Sequence, residues 1–238
     1  MPGNPLKFQQ SAHLLEMGAV MLHADRTRAA LVHGDLQPWC ASPDPGVDRR
    51  LLECAGGEVA LASSIVRYRA GSRFAAHRHD LGEEFVVLEG TFCDEHGQYP
   101  AGTYVRNPPG SRHAPSSESG CVIFVKLRQM RADETMSLRA FAEDRAWAAT
   151  TDAGHERARL FAQGALTVDL ERLAPGARWP SCATACGEEL FVVKGSLHLV
   201  EPELTVLDGW GWSRLPVRRH VGCAGAQGAL VWVKRGHL

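Results

Sequence analysis

Several features that would place the 238-residue chain in a familiar class of protein are missing from its sequence. It has no Cys-x-x-Cys pair, and its seven scattered cysteines argue against a disulfide framework and favour a reducing cytoplasm. Excess charge is also missing, because 26 lysines and arginines stand against 27 aspartates and glutamates. Without a basic field, we expect no binding to nucleic acid or to an anionic membrane surface.

Long apolar or helical segments are equally scarce. The first apolar stretch, residues 14–22, contains Glu16 and lacks a basic leading segment, so it is typical of neither a signal peptide nor a membrane span. The best two candidates for helices are residues 11–23 and 133–147. Elsewhere, 24 glycines and 13 prolines separate short apolar runs such as 85–88 and 122–125. This pattern predicts an all-β chain of short strands and turns.

Two parts of the chain resemble each other. Residues 71–90 align without a gap on 176–195, with Gly-Glu-Glu and the flanking glycines at matching positions, and residues 120–126 align on 228–234. Such self-similarity is the signature of a duplicated structural unit. We therefore predict tandem copies of one domain. The predicted boundaries are an N-terminal extension at 1–38, a first copy at 39–128, a linker at 129–146 and a second copy at 147–238.

The first copy carries side chains suited to binding a metal. In His77-x-His79 the two imidazoles are two residues apart, which places them on the same face of a strand. Glu83 follows after a turn, and His113 follows the proline- and glycine-rich stretch 107–112. One histidine on an apolar face is most often a packed core residue, but this combined spacing favours a metal. Three imidazoles and one carboxylate suit Zn, Fe(II), Mn or Ni rather than Ca or Mg.

These residues resemble the motifs of the cupin superfamily. Gly71-x5-His77-x-His79-x3-Glu83-x6-Gly90 matches the first cupin motif at every fixed position. Gly102-x5-Pro108-x-Gly110-x2-His113 matches the second up to its last residue, where Ser117 replaces asparagine. The resemblance implies an all-β fold of two tandem double-stranded β-helix (jelly-roll) domains. It also implies that His77, His79, Glu83 and His113 hold one divalent transition metal per chain, with Zn or Fe(II) expected.

A finer resemblance links the first copy to the cupin domain of ChrR-type anti-sigma factors. It is carried by Trp39 and by residues 45–47, 82–84, 87–90, 99–102, 107–111 and 125–127. The zinc-binding module with which such factors hold a sigma factor is not recognisable in residues 1–38, which contain three histidines and no cysteine. The resemblance therefore implies the sensory, metal-binding half of such a factor, in two copies.

Side chains near the predicted site leave two alternatives open. Glu84 could supply the carboxylate in place of Glu83, although its spacing to Gly90 favours the opposite face of the strand. Arg67, Tyr68 and Arg69 lie on an alternating strand beside the site. An arginine pointing inward would hold an anionic substrate, and one pointing outward would be solvated.

The second copy keeps the glycine frame and loses the histidine pair. Cys182 and Thr184 stand at the positions of His77 and His79, whereas Glu188 and His220 match Glu83 and His113. The donors left are Cys182, Glu188 and His220, with Cys186 nearby. A thiolate would favour Zn over Fe(II). We expect this copy to be a degenerate structural partner of the first.

Three functions fit the sequence. The first is regulatory: the metal cupin responds to an oxidant or a small-molecule ligand and reports to a protein partner, as the ChrR resemblance implies. The second is enzymatic, an Fe(II)-dependent cupin dioxygenase acting on a small organic substrate. The third is a closed Zn site that only stabilises the barrel. Because jelly rolls have edge strands that need cover, we also expect a homodimer.

Overall fold

The computed structural model describes residues 20–57, 60–179, 187–200, 205–216 and 221–238. These residues form 22 β-strands and one short 3-10 turn at Gly34–Leu36, with no α-helix among them. The all-β prediction is confirmed. No described segment forms a helix of the length and apolarity needed to cross a bilayer.

The strands are short and follow one another closely along the chain. The earlier ones are β1 (Val20–Leu22), β2 (Ala30–Val32), β3 (Cys40–Ala41), β4 (Val47–Gly56), β5 (Leu61–Tyr68), β6 (Ser72–Arg73), β7 (His77–His79), β8 (Glu83–Asp94), β9 (Gly97–Pro100), β10 (Tyr104–Asn107), β11 (Ser111–His113), β12 (Ser116–Ser117), β13 (Cys121–Leu127) and β14 (Leu138–Ala140). The later ones are β15 (Ala148–Ala149), β16 (His155–Gln163), β17 (Leu166–Leu173), β18 (Arg178–Trp179), β19 (Glu188–Leu199), β20 (Thr205–Asp208), β21 (Trp212–Leu215) and β22 (Gly222–Arg235).

The strands separate into two compact units. The first contains the described residues up to Ala24 together with Pro38–Arg139, and the second contains Asp25–Gln37 and Ala140–Leu238. Residues 25–37 therefore belong with the second copy, to which they contribute β2. Residues 129–139 pack within the first unit, to which they contribute most of β14.

The central sheet has the same strand order in both units. It runs β1-β4-β5-β13-β8-β10-β14 in the first and β15-β16-β17-β22-β19-β21-β2 in the second. The core pairs are antiparallel in both. The predicted duplication is thus confirmed at the level of backbone pairing. In each sheet, the last strand comes from outside the repeated segment.

The two segments proposed as helices do not form helices where the structure describes them. Val20–Leu22, at the end of the stretch 11–23, pairs with β4, whereas residues 11–19 lie outside the described part. In residues 133–147, the chain forms turns and β14, which joins the edge of β10. The helix prediction is wrong there because a sheet edge offers backbone hydrogen bonds and side-chain packing that outweigh weak helix propensity.

The glycine frame of the repeat has a steric cause. Gly90 and Gly195 have positive φ angles of 69° and 76°. A Cβ on Gly90 would lie 2.1 Å from the carbonyl oxygen of Gly120, and one on Gly195 would lie 2.1 Å from that of Gly228. Only glycine fits at these two positions, where β8 pairs with β13 and β19 pairs with β22.

Packed aromatic and aliphatic side chains fill the space between the strands. In the first unit, Phe85, Phe92, Tyr104 and Phe124 are at most 1 % exposed. In the second unit, a buried cluster forms around Trp179, Leu190, Val192 and Val231. These cores hold the sheets rigidly, so that side chains at the barrel wall have fixed positions.

Candidate metal centre

The two-stranded ladder of β7 and β11 positions three histidines. His77 lies opposite His113 in the antiparallel register, and His79 lies two residues along the same strand face. Arg78, between them, is exposed on the other face. The parity predicted from the sequence therefore matches the observed strand.

The three imidazoles point toward one another. Their ring centroids are 4.7–5.1 Å apart, and one ring nitrogen from each lies within 4.8 Å of the other two. Nε2 of His79 is 2.9 Å from Nε2 of His113. His79 and His113 are buried, with 8 % and 2 % of their surface exposed, whereas His77 is half-buried. Among the described residues, this is where three potential metal ligands converge.

Glu83 brings a carboxylate to the same point. Its Oε2 atom is 3.5 Å from Nε2 of His79 and 3.4 Å from Nε2 of His113. The same oxygen accepts a hydrogen bond of 2.9 Å from Nδ2 of Asn107, which lies directly opposite Glu83 in the β8–β10 pair. Glu83 thus faces both buried histidines from the first residue of β8.

The spacing of the His79, His113 and Glu83 atoms fits one first-row transition metal. Ligand atoms that are each ~2.1 Å from one metal are ~3.0 Å apart when they lie at right angles and ~3.4 Å apart at the tetrahedral angle. The observed separations of 2.9, 3.4 and 3.5 Å fall in this range. Three imidazole nitrogens and one carboxylate oxygen also match the preferences of Zn, Fe(II), Mn and Ni.

Two of the imidazoles are oriented by hydrogen bonds at their other nitrogen. Nδ1 of His77 donates to the carbonyl oxygen of Ala75 at 2.9 Å, and Nδ1 of His113 donates to Oδ2 of Asp94 at 3.2 Å. Bonds of this kind fix the tautomer and leave Nε2 as the metal-binding atom. Sequence reasoning missed Asp94, which shows no motif of its own.

Arg139 connects the outer contacts of two ligands. Its guanidinium donates to the Tyr99 hydroxyl at 3.1 Å and to Oδ1 of Asn107 at 2.8 Å. Tyr99 donates to Asp94 at 3.0 Å. Because Asp94 holds His113 and Asn107 holds Glu83, one side chain of β14 supports both ligands. No sequence motif indicates this role, since Arg139 lies in the predicted linker.

The electrostatics of the site favour a charged carboxylate beside a neutral imidazole. Burial alone would raise the pKa of Glu83, but His79, His113 and the Asn107 amide outweigh burial and lower it. Burial lowers the pKa of His79. For His113, burial also acts to lower the pKa, but the hydrogen bond to Asp94 raises it overall.

Comparison with known proteins places this geometry in a family context. Residues 27–131, which include all four candidate ligands, match the family model described as the ChrR Cupin-like domain. No protein of curated function matches the chain in sequence. Many solved structures resemble the chain, and three that match nearly its whole length illustrate the likeness.

The first resembling structure is protein Ylba from E. coli, which is 14 % identical, with a TM-score of 0.69 and coverage of 99 % of this chain and 98 % of that one. A Nostoc punctiforme protein provisionally named a dioxygenase is 13 % identical, with a TM-score of 0.68 and coverage of 95 % and 90 %. Oxalate decarboxylase from Bacillus subtilis, with Mn(II) centres, is 12 % identical, with a TM-score of 0.64 and coverage of 100 % and 85 %. The fold is that of the cupins.

Within the first unit, Glu84 is not placed to bind the metal. It follows Glu83 on β8 and points to the opposite face of the sheet, where its Oε2 accepts hydrogen bonds from Tyr104 at 2.7 Å and from Arg106 at 3.0 Å. Arg106 also contacts Glu134. The alternative carboxylate is therefore engaged in a buried ion pair on the far side of β8.

A cavity of about 380 Å³ opens beside the histidines of the first cupin unit. Besides His77, His79 and Glu83, its wall is mostly apolar, and the apolar part includes Val47, Val66, Tyr68, Phe74, Ile123, Val125 and Leu127. Arg49 also lines this cavity, and Arg78 and Arg128 lie along it beside Asp80. The candidate centre is thus reached through a space of the size that small ligands occupy.

Arg67 does not enter this cavity. It pairs with Asp48 at 2.8 Å on the outer face of the sheet, where its guanidinium also lies 4.3 Å from the ring centre of Trp39. Of the two orientations left open by the sequence, the structure shows the outward one. The inward arginine is Arg49, on the neighbouring strand β4, directly opposite Val66.

In the second cupin unit, the residue equivalent to Glu83 is bound by a cation. Glu188 lies opposite Arg235 in the β19–β22 register, where Glu83 lies opposite Leu127 in the first unit. Nε of Arg235 donates to Oε2 of Glu188 at 2.6 Å. Cys182, Cys186 and His220 lie outside the described residues.

The ion pair of Glu188 belongs to a larger buried network. Arg235 also donates to Glu171 at 2.7 Å, and Glu171 contacts Nε2 of His155 at 2.7 Å. Asp169 contacts Arg159 and Arg235. Charged groups of both signs thus surround Glu188 among the described residues of the second unit.

Proposed function

We propose that this protein is a metal-dependent regulatory cupin. Its first unit binds one divalent transition metal, Zn or Fe(II), through His77, His79, Glu83 and His113. An oxidant or small molecule that enters the adjacent cavity changes the surroundings of these ligands, and a protein partner reads the change. The observation that carries the proposal is the convergence of His77, His79 and His113 beside a cavity. Glu83 lies next to the two buried imidazoles, and the segment matches the ChrR Cupin-like domain.

Each part of the first unit has a task in this proposal. A bound transition metal would supply a Lewis-acidic or redox-active centre. The apolar part of the wall would pack against a small molecule beside the histidines. Asp94 and Asn107 hold His113 and Glu83 in place, and Arg139 transmits any displacement of these two residues to β14.

The test combines metal analysis with hydrogen exchange. Protein purified anaerobically is analysed for metal and then treated with hydrogen peroxide. We expect stoichiometric metal and an altered exchange rate in residues 134–140 for the wild type, and neither for His79→Ala. Unchanged exchange in a metal-loaded wild type would contradict the regulatory role.

A second candidate function is an Fe(II)-dependent dioxygenase. It is favoured by the direct access from the mostly apolar cavity to His77, His79 and Glu83. The same anaerobic preparation distinguishes the two functions when oxygen uptake is measured with aromatic and diketone substrates. Bound Fe(II) with turnover supports the enzyme, whereas tightly bound Zn without turnover supports the regulator.

The assembly forms a separate part of the proposal. The homodimer expected from the sequence remains a prediction, as does a cytoplasmic location. Light scattering across micromolar concentrations tests the homodimer, and a monomeric mass at every concentration would contradict it.

A further inference from the structure

We propose that the cavity of the first unit takes a small organic carboxylate with an apolar body, and that Arg49 binds the carboxylate group. This inference rests on the proposed function, because it names the class of ligand that reaches the metal centre. The carrying observation is a guanidinium in the wall of a mostly apolar cavity that has no carboxylate partner among the residues the structure describes.

Strand geometry places Arg49 on the inner face of β4. Val47, two residues earlier, lines the same cavity, and Asp48 between them faces outward to Arg67 and Arg69. Arg49 lies opposite Val66, which is also a cavity residue. The alternation of side chains along β4 therefore directs this guanidinium into the cavity.

Arg49 has unused hydrogen-bonding capacity. An arginine side chain carries five N–H donors. In Arg49, Nη2 donates a 2.7 Å hydrogen bond to the hydroxyl of Ser42. Within the part of the chain that the structure describes, Arg49 forms no ion pair. Since a half-buried guanidinium without a counter-charge is unfavourable, a carboxylate ligand would satisfy it.

Other arginines near β4 and β10 are matched by carboxylates. Arg67 and Arg69 share Asp48, and Arg106 is held between Glu84 and Glu134. These pairs lie on the outer side of the sheet. Arg49 differs from these arginines, because it lines the cavity and has no carboxylate partner among the described residues.

The other charged residues along the cavity also favour an anionic ligand. Arg78 and Arg128 approach a single exposed carboxylate, Asp80, at 3.4 and 3.6 Å. Together with Arg49, these residues give three cations in the cavity wall against two carboxylates, Asp80 and Glu83. The net positive charge attracts an anionic ligand. The apolar residues between this region and the histidines would contact the body of the ligand, as in most small-molecule sites.

The experiment uses the zinc-loaded full chain and two matched probes, 4-fluorobenzoate and the uncharged 4-fluorobenzamide, followed by ¹⁹F NMR titration. We expect the wild type to bind the carboxylate at least about tenfold more tightly than the amide, because a charge-assisted bond adds this much. Arg49→Gln should remove the preference, and Arg49→Lys should keep part of it. Arg67→Gln, the matched variant on the outer face, should leave it intact.

The outcomes separate this inference from the proposed function. Metal content is measured for every variant. An Arg49-dependent preference in protein that retains no metal would uphold the carboxylate site and contradict the metal-dependent function. A wild type that shows no preference, or a preference that Arg49→Gln leaves unchanged in metal-loaded protein, would overturn the carboxylate site alone, since the anion would then bind elsewhere or to the metal.

Discussion

Arg139 donates a hydrogen bond to Asn107 at 2.8 Å, and Asn107 donates in turn to Glu83 at 2.9 Å. The same guanidinium reaches His113 through Tyr99 and Asp94. A residue from outside the repeated segment therefore supports the orientation of two candidate metal ligands. This relationship gives the first of four predictions.

Replacing Arg139 with leucine should weaken metal binding without removing any ligand. Outer contacts of this type typically contribute about 10- to 100-fold to metal affinity, because they hold ligands in their binding orientation. Competition with a chelator measures the change. The exposed Arg131, which pairs with Asp133, provides the control variant Arg131→Leu. Equal affinities for Arg139→Leu and the wild type would contradict the role of this contact.

The two neighbouring glutamates should respond differently to the same substitution. Glu83→Gln should lose most of the bound metal, because a neutral amide is a weak ligand for a divalent ion. Glu84→Gln should keep the metal and lower the free energy of unfolding by about 1–3 kcal/mol, because Arg106 loses part of its charged hydrogen bonding. Metal analysis measures the bound metal of each variant, and urea unfolding measures its free energy of unfolding. Metal loss in Glu84→Gln alone would reverse the assignment of the carboxylate.

The second unit should hold no metal of the same kind, giving about one metal per chain. Arg235 already neutralises Glu188 at 2.6 Å. In Arg235→Leu, which installs the residue found at the equivalent position 127, we expect a loss of stability of about 3–5 kcal/mol from the uncompensated buried carboxylates. The metal content should stay the same. Two equivalent metals in the wild type would contradict this view, and the exposed Arg172→Leu serves as the stability control.

Acid should destabilise the second unit through Glu171. Burial alone would raise the pKa of this group, but His155, Arg235 and Arg157 outweigh it and lower the pKa from 4.5 to about 2. Because the folded pKa lies below the unfolded one, this stabilisation is present above pH 4.5 and disappears as the pH falls toward 2. The shift corresponds to about 3 kcal/mol.

Urea unfolding between pH 6 and pH 3 tests this pH dependence. Five of the six tryptophans lie in the second unit, so tryptophan fluorescence reports mainly on its unfolding. Glu171→Gln should lower the stability at pH 6 and flatten its decline with acid. Glu156→Gln, whose partner Arg172 is exposed, should change neither. Parallel pH profiles of stability for Glu171→Gln and the wild type would show that Glu171 is not the cause of the acid destabilisation.

Short-range patterns in the sequence were sufficient to predict the repeated β architecture and the convergence of the histidines. The alternation of side chains along a strand is a local property, so His77-x-His79 had to present both rings on one face. The glycine frame was also readable, because positions such as Gly90 and Gly195 tolerate no Cβ in either copy. The alternation of side chains along the strand also predicted that Glu83 and Glu84 face opposite sides of β8.

Contacts between residues far apart in the chain were decided only by the tertiary structure. β2 and β14 complete sheets to which sequence order did not assign them, because open strand edges accept any segment that can supply backbone hydrogen bonds. The same holds for side chains. Arg139 meets Asn107 across 32 positions, and Arg235 meets Glu188 across 47. Local periodicity carries no information about such long-range contacts, since they depend on how the strands pack in the folded chain.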